Sequence, residues 1–149
     1  MMSEVAARWC VFLPCAKDEI WVVPQNSLAE IVTVQDGGRN PPGHITWRGE
    51  DVPVLDLGES GEIPWRNPMS ETGLIAVILG LKGTASGYWA VALRGEGLAV
   101  KNIANEKVQD VPEKIMVRST AAFEINNIVY QVPDLPALQI QVRELRLSA

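Results

Sequence analysis

Apolar residues recur along this chain in short runs, many with a two-residue period, and proline or glycine interrupts them at close intervals. That pattern predicts many short strands rather than long helices. Ile45 and Trp47 alternate with Thr46 and Arg48, as on a half-buried strand. Gly49-Glu50-Asp51 is expected to turn the chain, because glycine tolerates positive φ and aspartate tolerates turns. Residues 52–57 are then apolar on both faces and predict a strand buried on two sides. Residues 9–13 and 20–23 predict a hairpin around the polar turn Ala16-Lys17-Asp18-Glu19. The unbroken apolar run 74–79 predicts a fully buried strand, and 88–93 the next, with 82–87 as the loop between them. Residues 115–117, 123–125 and 128–132 complete the predicted strand set.

Three segments read differently. Residues 26–32 predict a helical turn, with Ser27 placed to cap and Glu30 three residues on. Residues 36–43 read as a loop and 58–73 as an exposed connection. From Pro136 onward, Leu138, Val142 and Leu145 suit helical spacing, whereas Leu138, Ile140 and Val142 suit a strand; a short C-terminal helix is predicted. One internal echo stands out. Trp47-Arg48-Gly49-Glu50 and Leu93-Arg94-Gly95-Glu96 share Arg-Gly-Glu, which suggests a duplicated unit.

Composition narrows the function classes. At 149 residues the chain suits one domain or two small lobes sharing a core. A formal net charge of −5 leaves no electrostatic footprint for nucleic acid or an anionic membrane surface. The longest apolar runs fall far below a membrane span, so a soluble, cytoplasmic protein without direct membrane insertion is expected. Cys10 and Cys15 lack zinc-ligand spacing; they could form a bridge, but read first as free, buried thiols in a reducing compartment. The five tryptophans (Trp9, Trp21, Trp47, Trp65 and Trp89) read first as core packing.

Nothing in the sequence assembles a catalytic site. His44 is the sole histidine, and no serine elbow, phosphate-binding loop or zinc motif accompanies it. Asp18, Glu19, Glu50 and Asp51 are adjacent carboxylates in turns, which solvation explains. No enzyme activity, cofactor or metal is expected. Arg48 keeps two readings: a charged residue solvating a turn, or a rigid donor fork anchoring a protein contact. Leu28, Glu30 and Ile31 have the same two readings, edge packing or partner contact.

The segment 43–57 resembles the signature of the CheW-like family of chemotaxis coupling proteins. Gly43, Arg48, Gly49, Pro53, Asp56 and Leu57 match its spacing, while Thr46 and Trp47 stand where the family has Asn-Leu. The resemblance extends through residues 20–31, 76–79 and 88–93 to Ile128-Val129-Tyr130 and Asp134-Leu135. It departs in a short 32–42 loop, in Gly95-Glu96 where the family has Gly-Val, and in glycines missing near 119–123. The chain therefore resembles a divergent member. That likeness implies a mainly β fold of two small five-stranded SH3-like β-barrels, interleaved in sequence and packed together, with short helices. It implies an adaptor that couples a chemoreceptor's cytoplasmic tip to the regulatory domain of a CheA-like histidine kinase. The surface it implies comprises Leu28, Glu30, Ile31, Arg48, Gly49 and Asp56. From a different class, the tryptophans and short apolar strands also fit a small β-barrel that binds an apolar small-molecule ligand.

Overall fold

The first hairpin forms as its alternation dictates. β1 (Trp9–Ala16) and β2 (Glu19–Pro24) pair antiparallel across the turn at Lys17 and Asp18, with Val11 opposite Val23 and Leu13 opposite Trp21. In this computed structural model the described residues are 8–35, 40–58, 64–65, 71–79, 88–94 and 98–148. β3 (Leu28–Gln35), β4 (His44–Trp47), β5 (Glu50–Leu55), β6 (Thr72–Leu79) and β7 (Tyr88–Leu93) follow. Then come β8 (Ala99–Asn102), β9 (Gln109–Asp110), β10 (Ser119–Ile125), β11 (Ile128–Pro133) and the helix α1 (Leu135–Ser148). One sheet has the order β3-β6-β7-β5-β4 and the other β8-β1-β2-β11-β10-β9. The protein is thus mainly β, with two curled mixed sheets, one of them a half-barrel.

The two sheets share one spatial arrangement of strands, reached with a different order along the chain. Each contains a hairpin whose two-residue turn has both residues at positive φ: Arg48 and Gly49 (49° and 79°), and Asn126 and Asn127 (51° and 67°). This is the turn geometry whose twist matches flanking strands. A six-residue strand follows each turn, β5 or β11, and each strand runs into Asp-Leu: Asp56-Leu57 and Asp134-Leu135. β5 lies parallel to β7 and β11 parallel to β2. The antiparallel partners of those strands, β6 and β1, carry the outer strands β3 and β8. The shared arrangement does not follow the sequence echo. The counterpart of Arg48-Gly49 is Asn126-Asn127, whereas Arg94 follows β7 and Gly95 lies outside the described residues.

Three apolar clusters result from this arrangement. One, including Val11, Leu13, Trp21, Ile78, Trp89 and Leu138, draws on both sheets and α1 and joins them. Trp21 faces Leu13 and Trp89 faces Ile78 across their respective hairpins, and the two indoles meet edge-on at 6.3 Å and 67°. A second cluster gathers residues from all five strands of one sheet around Trp47, Trp65 and Ile75. A third lines the far face of the other sheet around Phe12, Phe123 and Tyr130. Four of the five tryptophans are buried as expected; Trp9 is half exposed. Among the described residues, no helix is long and apolar enough to cross a membrane.

Several local expectations change. Residues 26–32 are not a helical turn: a single 3₁₀ turn covers Gln25–Ser27, Ser27 makes no capping bond, and β3 starts at Leu28. The branched run Ile31-Val32-Thr33-Val34 prefers extended backbone, and pairing with β6 satisfies it. The turn after β4 is Arg48-Gly49, so Glu50 and Asp51 belong to β5. Residues 115–117 are not a strand, because a 3₁₀ turn at Pro112–Lys114 leads into a turn where Val117 is 90% exposed. The second sheet has six strands because β9 adds to its edge. The predicted C-terminal helix is present and buries Leu138 and Val142. The 82–87 loop lies outside the described residues, as do 36–39 and most of 59–70.

Glu19 also departs from expectation. It is 3% exposed, its Oε2 accepts from Trp21 Nε1 at 3.0 Å, and Arg118 Nη1 lies 3.6 Å from its Oε1. A buried carboxylate persists only when its oxygens are partnered, and these partners come from β2 and from the turn that precedes β10.

Candidate protein-interaction site

Arg48 stands on the β4–β5 turn with its side chain 71% exposed. Its guanidinium carbon lies 4.7 Å from the Trp47 ring centroid, and its Nη2 lies 3.6 Å from Glu30 Oε1. Trp47 is buried beneath it and meets Tyr88 edge-on at 4.7 Å and 65°. The donor fork is thereby carried on a packed aromatic platform while remaining open to solvent. Gly49 completes the turn at φ 79°, with open space where a Cβ would project.

Glu30 reaches Arg48 from a different part of the sheet. β3 and β4 are the two ends of the strand order, so a contact between Glu30 and the β4–β5 turn requires the sheet to curl. In β3 the register slips between Leu28 and Glu30, a bulge at Ala29. Leu28 and Ile31 are half buried and pack on the inter-sheet cluster, leaving Glu30 exposed between them. Five of the six residues nominated from sequence therefore lie on β3 or on the β4–β5 turn.

Asp56 has a different position. It follows β5 at the end away from Arg48, and both its oxygens are engaged inside the protein. Oδ1 accepts from Arg94 Nε at 2.9 Å and from the Gly58 amide at 3.0 Å, while Oδ2 accepts from Arg94 Nη2 at 2.8 Å. The Arg94 side chain is 2% exposed, and its backbone N–H donates to Pro14 O of β1 at 2.7 Å, tying the two sheets together. Sequence reading saw Arg94 only as part of an echo. Its true signal was a cation directly after an apolar strand, which needs a carboxylate if buried.

His44 is exposed on β4, and no cluster of His, Cys, Asp and Glu among the described residues could hold a metal. Cys15 is fully buried and Cys10 half buried, both as free thiols. Burial pushes the Cys15 thiol well up, with nearby Glu19 adding to it, and raises Cys10 more mildly against the pull of Arg8. The described residues form surface grooves, two of which matter here. One, of about 450 Å³, is lined by Asn40, Pro41, Pro42, Val54 and Asp56; the other, of about 640 Å³, by Arg8, Trp9, Cys10, Pro24 and Asn26.

Fold and site together define a β-rich protein with a charged, aromatic-backed rim. No protein-family model matches the chain, and no curated protein matches it.

Proposed function

We propose that this chain is a non-enzymatic adaptor of the CheW-like type. It couples a chemoreceptor's cytoplasmic tip to the regulatory domain of a CheA-like histidine kinase in a cytoplasmic signalling array. In this reading the two curled sheets are two small SH3-like barrels. What supports that is the shared spatial arrangement of strands, with a separate apolar cluster for each sheet and a third between them.

The observation that carries the reading is the meeting of Arg48 with Glu30 on one exposed rim, with half-buried Leu28 and Ile31 on the same strand as Glu30. Arginine backed by an aromatic ring is a frequent anchor of protein contacts. Two modest contacts held at once give an adaptor its strength, because the second becomes intramolecular. Asp56 serves from within, holding Arg94 rather than touching a partner. The test is co-purification with the histidine kinase encoded in the same organism. Wild type should retain it and Arg48→Glu should lose it, with little change in melting temperature. Equal recovery by both would remove Arg48 from the interface.

A second reading, a carrier of an apolar small molecule, is favoured by the groove of about 640 Å³ beside half-exposed Trp9. That volume lies within the range of small-molecule pockets. A metabolite-dependent rise in melting temperature, abolished by Trp9→Ala, would select it.

A further inference from the structure

Trp65 is 4% exposed within the cluster enclosed by the five-stranded sheet, alongside Trp47, Val52, Ile75 and Val77. Its indole lies against Gly73 so closely that a Cβ there would collide with the ring at the fusion bond and the six-membered edge. Its Nε1–H donates to the Leu74 carbonyl at 3.0 Å. Three recognition elements therefore converge: a floor from which one Cβ is missing, an acceptor aimed at one ring N–H, and apolar walls. None depends on the covalent link between the indole and the chain. A tether adds effective concentration, not complementarity.

We propose that the concave side of this sheet is a binding site for a planar N–H heteroaromatic, filled in cis by Trp65. Once the Trp65 ring is removed, the site takes free indole in trans. Gly73 sets the shape of the ligand it accepts, and the Leu74 carbonyl sets its orientation. An indole without its N–H leaves that buried carbonyl unpaired and binds less well. The site shares Trp47 with the Arg48 rim, but neither reading stands on the other.

The experiment is thermal melting of the full chain with Trp65→Gly, with and without millimolar indole, and with indene as the isostere that lacks the N–H. Trp65→Gly should melt several degrees below wild type, indole should recover part of the loss, and indene should recover less. Wild type should show no indole-dependent shift, because its site is occupied. Adding Gly73→Ala to Trp65→Gly should abolish the recovery by filling the floor. If Trp65→Gly does not fold alone, indole-dependent refolding is the equivalent readout, since a ligand for the native state drives folding by mass action. Absence of any indole effect on Trp65→Gly, an equal effect on wild type or on the double variant, or indene matching indole would each overturn the proposal.

Discussion

The carboxylate of Glu30 lies 3.6 Å from the guanidinium of Arg48, and the two residues belong to opposite ends of one sheet's strand order. Both side chains are largely solvated, at 46% and 71% exposure, so the pair contributes little to folding. Exposed pairs of this kind are worth about 0.2–1 kcal/mol. Glu30→Gln and Arg48→Gln should each shift the urea midpoint by no more than that range implies. Reversing both charges, with Arg48→Glu and Glu30→Arg together, should restore the pair and the stability but not kinase binding. Recovery of binding in the double reversal would make the ion pair, not the arginine's position, the recognised feature.

Arg48 sits at φ 49° without being glycine, a conformation that costs side chains with a Cβ about 1–2 kcal/mol. Asparagine tolerates that region, and Asn-Gly is the favoured pair for this two-residue turn. Arg48→Asn should therefore leave stability unchanged or raise it by up to about 1 kcal/mol. Partner binding should fall in the same variant, which would separate strain kept for recognition from strain needed for the fold. Gly49→Val, at φ 79°, should instead destabilise by about 1–2 kcal/mol. Chemical denaturation of the three proteins measures both effects.

How much of this was legible in the sequence depends on the range of the interactions involved. Strands such as β1, β2, β6 and β7 were readable because alternation or unbroken apolarity specifies a buried strand locally. β3 was misread because Ser27 and Glu30 imitate a local capping pattern, while the force that decides its conformation is pairing with β6, far along the chain. β8 and β9 have four and two residues, with only the short run Leu98-Ala99-Val100 at the first and no apolar residue in the second. Glu19 looked like a solvated turn residue because Arg118, its counter-ion, comes from the other end of the chain. For the rim, local sequence left Arg48 and the β3 residues with two readings each, and the resemblance tipped the balance towards a partner contact. That Glu30 reaches Arg48 follows from the curl of the sheet, which no local pattern encodes.

Asp56 and Arg94 form a two-point ion pair with side chains 15% and 2% exposed. Removing one partner leaves the other charge buried, which costs about 3–5 kcal/mol. Asp56→Ala should therefore destabilise far more than Arg48→Gln, and replacing both residues with apolar ones should recover much of the loss. Gly58→Ala should act through the same pair, because a Cβ there would run into the Arg94 side chain near Cδ and Nε. Kinase binding by whatever fraction of Asp56→Ala remains folded should be normal, since this carboxylate faces inward. A selective loss of binding at normal stability would place Asp56 on the partner surface after all.

Cys15 links burial to alkaline stability. Its thiol is fully buried, and burial raises its pKa well above the ordinary value, with Glu19 adding to the effect. In the unfolded chain the thiol titrates near its ordinary value of about 8.5. Below that pH both states hold the proton and the contribution is complete. Above it the unfolded state loses a proton that native Cys15 keeps, so stability falls as pH rises, by up to about 1.4 kcal/mol per pH unit. Tyr130, also raised by burial with a contribution from Glu106, adds a second decline near the ordinary phenol range. Urea denaturation between pH 7 and pH 10, on the order of the thiol range, should show the midpoint falling for wild type and falling less steeply for Cys15→Ala. The thiol should also resist alkylation in native protein and react on unfolding, while Cys10, half buried, reacts slowly without unfolding. Rapid modification of both cysteines in native protein would show that the β1–β2 core opens far more readily than its packing implies.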